Sequence, residues 1–469
     1  MGQSIVPGES AFEARTIAQN GHRCRDRATA HRGHRRRRDA EEMTSTGRAP
    51  EVTRPRSVPR LLAPLAIALN LGFGAVYIVI FVALVLTGRT RGADFTAFYT
   101  GWRIVLDGRG SQLYDPTVQA EVQRTILGGQ TFQAGLNPFN NPPHMVLPYV
   151  PLGLLPLDVA FLAWTCVQVL LVVGIVAMLL RGVAREWTRV ERFGLVAAFV
   201  AFPALAISLF QGAFALVLVL GITGTLLAME SGRDSPAGGW LALASVKPQG
   251  MFGMAIAVLV SRRRSALVAA VGWALGLAVL ATAVLGPAIW GSYATLLGAY
   301  TSSFDQLSVD PTVMWNLRGT LALVIGRENA SLVNDLSYLG FAVGVVGIAW
   351  IWRRGWPRHG VAVRANRDTA LRVALTIVLT LLLSPHLNPH DDALAAIAVA
   401  LSYGALRGTT GGRIIGVGAM LAPAAILAVN GIAADAPTTL PIRLPTVLLV
   451  ALGSVTAMGL SRRRGRIQT

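Results

Sequence analysis

Apolar runs near bilayer-spanning length recur along the chain, and hydrocarbon tolerates only backbone that satisfies its own hydrogen bonds. Ten such runs are present: Leu61 to Leu86, Val159 to Leu180, Phe193 to Leu209, Phe214 to Met229, Ala266 to Leu285, Leu332 to Trp352, Ala370 to Leu383, Ala393 to Leu406, Ile414 to Val429 and Leu444 to Leu460. The expectation is therefore an all-α polytopic membrane protein with about ten spanning helices. A mean hydropathy of +0.53 and only 14% charged residues agree with it.

The net charge of +18 would point to nucleic acid in a soluble protein. Here the arginines fall in short clusters between apolar runs, which is the pattern of membrane orientation, so no nucleic-acid partner is expected. Arginines at 181, 185, 189 and 192, at 353, 354, 358, 364, 367 and 372, at 407, and at 462 to 464 then share one side, the cytoplasmic side. Residues 1–60 carry 13 Arg against 7 acidic residues and read as a disordered cytoplasmic arm, with 61–460 as the membrane domain and 461–469 as a basic cytoplasmic tail. Cys24 in the arm and Cys166 in an apolar run offer neither a disulfide framework nor a thiolate metal site.

Lys247, the only lysine among 42 basic residues, lies inside the apolar stretch Gly239 to Val260 and is followed by Pro248. A cation at membrane depth costs roughly 2.5 to 3.5 kcal/mol on insertion scales and persists where it meets water, a counter-charge or an anionic ligand. If this stretch crossed the membrane, Arg262 to Arg264 would land on the outer side and every later loop would invert. A broken hairpin resolves the conflict: two short helices meeting at Lys247-Pro248 keep both ends cytoplasmic, and proline disfavours helix at the residue before it. A straight span with reversed later topology is the competing arrangement.

With that topology the polar, motif-like segments face outward: Thr87 to Asp158, Gln211, Gly286 to Ser331, and Ser384 to Asp392. The first loop (87–158) carries Asp94-Phe95-Thr96-Ala97-Phe98-Tyr99 directly after the first span, and its aromatics suit helices lying at the interface. Asp94 is positioned to act as a base toward a lipid-borne reactant, or is a plain solvated acid. His144 follows Pro142-Pro143 and is either structural or a proton carrier. Ser384 to Asp392 holds His386, His390, Asp391 and Asp392, suited to acid/base work, to binding substrate hydroxyls, or to capping the next helix. No Walker sequence or dinucleotide fingerprint occurs, and no second cluster completes a metal site; neither cofactor nor metal is expected, and any donor should be lipid-borne.

The order of these motifs resembles glycosyltransferase family 87, polyprenyl-phosphate-mannose-dependent α-mannosyltransferases of the GT-C fold, over about Leu61 to Leu460. The resemblance rests on Asp94-Phe95-x-x-Phe98-Tyr99 with Tyr114-Asp115-Pro116, on Pro142-Pro143 and Pro151-Leu152, on Gln211, on Lys247-Pro248, and on Ser384-Pro385 with His390. The chain departs from the family's Gly-Gln-x-Asn with Phe210-Gln211-Gly212-Ala213. It also carries Asp391 where the family's outer motif has a second His. The resemblance implies an inverting transfer of mannose or another hexose, α-1,2 by analogy, from a polyprenyl phosphate sugar to a glycolipid or lipoglycan at the outer face of a bacterial cytoplasmic membrane. Asp94 or His390 would be the base and Lys247 the contact to the donor phosphate. Tyr99, Gln211, His386, Asp391 and His144 would bind substrate. A transporter or flippase for an anionic lipid or sugar is the rival class, expected to show charged span cores and internal pseudo-symmetry.

Overall fold

The computed structural model describes residues 62–87, 93–132, 135–302, 310–357, 367–430 and 442–467. The basic arm, 1–60, lies outside the described residues. The described chain is helical apart from short 3-10 turns, loops and one isolated bridge between Phe132 and Gly135. In chain order the helices are α1 (Leu62–Leu86), α2 (Ala93–Leu106), α3 (Pro116–Ile126), α4 (Leu157–Arg181), α5 (Arg189–Ala201), α6 (Pro203–Gln211), α7 (Ala215–Glu230), α8 (Asp234–Leu243), α9 (Pro248–Val260), α10 (Arg264–Leu285), α11 (Ile289–Ser302), α12 (Leu317–Ile325), α13 (Ala330–Trp352), α14 (Arg367–Leu383), α15 (Ala395–Leu406), α16 (Thr410–Asn430) and α17 (Leu444–Ile467). Arg462 to Arg464 of the expected tail therefore continue the last helix.

Two kinds of helix sort into two layers. By length and composition α1, α4, α10, α13, α16 and α17 can each cross a membrane, and a seventh span results if α5 and α6, bent by 47° at Phe202-Pro203, count as one. These leave large apolar side chains uncovered, among them Val79 at 67%, Val268 at 72% and Val346 at 68% exposure, as lipid-facing surfaces do. The remaining apolar runs form the shorter helices α7, α14 and α15, which are covered on nearly all sides. A helix that is apolar all round belongs inside such a bundle. The molecule is thus an all-α polytopic membrane protein with a shell of long helices around short buried ones.

Gly239 to Val260 is broken as the lysine and proline require. The α8 helix runs into a 3-10 turn, Ala244–Val246; Lys247 leaves helical geometry at φ −131, ψ 83; Pro248 opens α9. Just beyond α9, Arg263 Nη1 donates to Asp234 Oδ2, at the start of α8, over 3.3 Å. Each arm is about 20 Å long from its residue count, so a straight segment would hold these ends about 40 Å apart. Their contact closes a hairpin with Lys247 at its vertex. The same Arg263 bonds the Pro357 carbonyl, so the connection after α13 lies at that end too.

Helix α2 is built into the core. Phe95, Phe98, Tyr99 and Trp102, at i, i+3, i+4 and i+7, are all at most 6% exposed. Phe95 packs edge-to-face on Phe161, and Phe98 on Phe139 and Phe214. That packing fixes the first turn of α2, and with it Asp94.

Candidate active site

Four separate stretches of chain bring polar side chains to the hairpin vertex. Lys247 Nζ lies 2.7 Å from Asp391 Oδ1 and 2.7 Å from His390 Nε2. His390 Nδ1 lies 2.9 Å from Gln211 Oε1 and 3.5 Å from Asp94 Oδ2. The lysine, histidine and Asp391 are almost wholly covered, whereas Asp94 keeps 23% of its side chain accessible. Asp94 is thus the carboxylate of the cluster that an incoming reactant can reach, and Gln211 beside it is also only partly buried.

The network fixes the state of the histidine. An ammonium has only donors, so Lys247 donates to Nε2, which must carry a lone pair; Nδ1 then bears the proton and donates to the Gln211 carbonyl oxygen. Burial holds the His390 pKa below its ordinary value and the charge of Lys247 lowers it further, against the raising influence of Asp391 and Asp94. His390 is therefore neutral, with both nitrogens engaged.

Local sequence explains why each group is held. Gln211 ends α6 because Gly212 takes the left-handed conformation, φ 68. A β-carbon there would stand 2.7 Å from Phe95 Cβ, so only glycine fits. Trp164 Nε1 donates to the Gly212 carbonyl over 2.8 Å and anchors the turn. Asp391 has two duties: Oδ1 faces Lys247, while Oδ2 accepts the Asn388 N–H at 3.0 Å and caps the short 3-10 helix Pro389–Leu394. Burial raises the Asp391 pKa, but Lys247 and the Asn388 N–H overcome this and leave it below the usual carboxylate range. Its neighbour Asp392 is pushed well above that range by burial and by the charge of Asp391.

The other expected site residues are distributed differently. His386 stands close enough to Arg318, Lys247 and Asp391 to feel their charges, and burial, then Arg318 and Lys247, push its pKa down to about 4. His144 Nε2 is 3.2 Å from Ser245 Oγ, two residues before Lys247 in sequence, which ties the proline-rich loop to the hairpin vertex. Burial lowers the pKa of His144 as well. Tyr99 lies within the core, and its hydroxyl donates to the Leu155 carbonyl over 2.6 Å. Trp102, Tyr114 and Trp315 are likewise buried.

Two residues that no sequence motif marked clamp the histidine loop. Asn316 Nδ2 donates to the Ser384 carbonyl over 3.1 Å, and Arg318 Nη1 to the Pro385 carbonyl over 2.8 Å, while Arg318 Nη2 reaches Asn334 Oδ1. A cation at the start of α12 thus positions the loop that carries His386 and His390. Among the described residues no group of three or more His, Cys, Asp or Glu is arranged to hold a metal ion.

No curated protein and no solved structure matches this chain. The sequence model of glycosyltransferase family 87 matches residues 139–385, more than half of the chain. Gln211 and Lys247 lie within its limits; His386 is the first residue past them, and Asp94 and His390 also lie beyond them, with His390 bonded to Gln211 and Asp94 against His390. A membrane-embedded helical bundle with a polar cluster at the vertex of a broken hairpin, matched over this length, belongs to glycosyltransferase family 87.

Proposed function

We propose that this membrane glycosyltransferase moves a hexose, mannose by family resemblance, from a polyprenyl phosphate sugar to a glycolipid or lipoglycan acceptor at the outer face of the membrane. The observation that carries the proposal is the convergence of Asp94, Gln211, Lys247, His390 and Asp391 at one end of the buried helices. The arginine-rich connections gather at the other end, which supports placing the cluster outward.

In the proposed step the acceptor oxygen attacks the anomeric carbon while Asp94 takes its proton. The bond from that carbon to the phosphate oxygen breaks, and the electron pair leaves with the polyprenyl phosphate, inverting the centre. His390 is unsuited to the base role because its Nε2 accepts from Lys247 and its Nδ1 carries a proton; it orients Gln211 and Asp94 instead. Lys247 has three donors, of which two face Asp391 and His390, leaving one for a phosphate oxygen. Asp391 offsets the lysine charge in the resting site. The balance during transfer is favourable: Asp94 loses a negative charge on protonation as the leaving phosphate gains one, beside a fixed cation in a low-dielectric setting. The α-1,2 linkage follows the family alone.

The test is transfer of labelled mannose from synthetic polyprenyl-phosphate-mannose to lipid acceptors by purified protein in detergent. Product formation supports the reading. Binding of the lipid without transfer to any acceptor, with Asp94→Ala, His390→Ala and Lys247→Ala all behaving as wild type, would replace it with the transporter.

A further inference from the structure

At the end of the bundle away from Asp94 and Lys247 lies a cavity of about 970 Å³ enclosed by α4, α7, α8, α14 and α15. Its position follows from the helices: α7 starts beside Gln211 and ends at Glu230 on the cavity wall, about 24 Å further on, and α14 and α15 likewise connect the His390 loop to this end. The cavity is amphipathic. Its depth is apolar, with Ala177, Met178, Leu227 and Leu401, and at Gly174 an added β-carbon would meet no atom within 4 Å. Toward its mouth stand Arg181, Arg185, Arg233, Arg367 and Arg407, against the carboxylates of Glu186 and Glu230. Orientation alone requires arginines on one side of a membrane, but does not require five around one hollow with an apolar interior.

We propose that this cavity binds the phosphate headgroup of an anionic membrane lipid, with the adjoining acyl segment in its apolar depth. Charge complementarity selects the headgroup: the lining carries five arginines against two carboxylates, Arg407 being further answered by Glu191, so a cationic excess remains, and each arginine near a membrane surface favours an anionic lipid. The apolar interior selects a lipid over free phosphate, for which Gly174 and Met178 would have no use. The site is separate from sugar transfer and does not depend on the donor being a polyprenyl phosphate.

The experiment is native mass spectrometry of delipidated full-length protein in detergent, titrated with phosphatidylglycerol, with phosphatidylcholine of the same chains, and with inorganic phosphate. Wild type should retain phosphatidylglycerol over phosphatidylcholine by at least roughly tenfold, from the field of several arginines. Arg185→Gln/Arg233→Gln, at two exposed positions, should bring that ratio close to one. Gly174→Leu, which fills the apolar depth and leaves every arginine in place, should weaken retention of both lipids. Unchanged selectivity in the double variant overturns the proposal. So does retention of inorganic phosphate that depends on Arg185 and Arg233 while neither lipid is held.

Discussion

Two ion pairs mark the two ends of the helix bundle and differ mainly in burial. At the vertex, Lys247 and Asp391 meet at 2.7 Å with side chains 7% and 1% exposed. At the opposite end, Arg407 and Glu191 meet at 2.8 Å with side chains 31% and 22% exposed, and Tyr403 adds a hydrogen bond to the same carboxylate. The first pair lies where no water replaces a missing partner, so each charge is obligatory for the other. The second lies where water substitutes readily, and its value is modest. Arg263, Arg318 and Arg443 are buried as well, but the carboxylate that answers Arg263 is 20% exposed, whereas at the vertex both charges of the pair are covered, and that volume is where chemistry is proposed.

The sharpest way to break this comparison is to alter the accessible acid of the vertex. Asp94→Asn should lower transfer by about 10²- to 10⁴-fold, the usual worth of a general base, while donor affinity measured by lipid binding stays near wild type. Next in size is Lys247→Met, which leaves Asp391 charged and buried; a loss of roughly 3 to 5 kcal/mol is expected, read as a fall in the unfolding midpoint in detergent. Lys247→Met/Asp391→Leu should recover most of that stability and none of the transfer. Arg407→Gln, by contrast, should cost less than about 1 kcal/mol, because both side chains of that pair keep contact with water. If Arg407→Gln proved as damaging as Lys247→Met, burial would not be what separates the two ends.

The smallest effect concerns pH. In the folded chain burial, Arg318 and Lys247 keep His386 neutral down to about 4, whereas the unfolded chain protonates it near its ordinary 6.5. Between those values the unfolded state binds more protons, so stability is complete above 6.5 and falls as pH drops toward 4. His390, also lowered, adds with the same sign. His386→Gln should make the unfolding midpoint less sensitive to pH between 7 and 5, and an unchanged slope would show that His386 is solvated.

Much of this architecture is legible in the sequence because hydrocarbon imposes it. The apolar runs coincide with helices, and proline disfavours helix at the lysine before it, so the hairpin at Lys247-Pro248 is the favoured reading of the sequence over a straight span, and the structure shows the break there. Four of the arginines assigned to one side, Arg181, Arg185, Arg367 and Arg407, line one cavity. Pairing is harder to read. Nothing in Asn388-Pro389-His390-Asp391 says that its carboxylate answers a lysine far back in the chain, since that contact depends on how α9 and α14 pack. Nor do Asn316 and Arg318 stand in any motif; they act through carbonyls of Ser384 and Pro385, which every sequence has. The aromatic spacing of α2 is visible as a helical stripe, yet its burial in protein depends on the Leu147–Leu154 turn that covers it.

Single-turnover transfer from labelled polyprenyl-phosphate-mannose, with wild type and Asp94→Asn compared at equal donor occupancy, tests the central claim most directly. The account predicts that the variant binds donor as wild type does and forms product at least about a hundredfold more slowly. Product formed at the wild-type rate by Asp94→Asn would contradict it and move the proton transfer to another group.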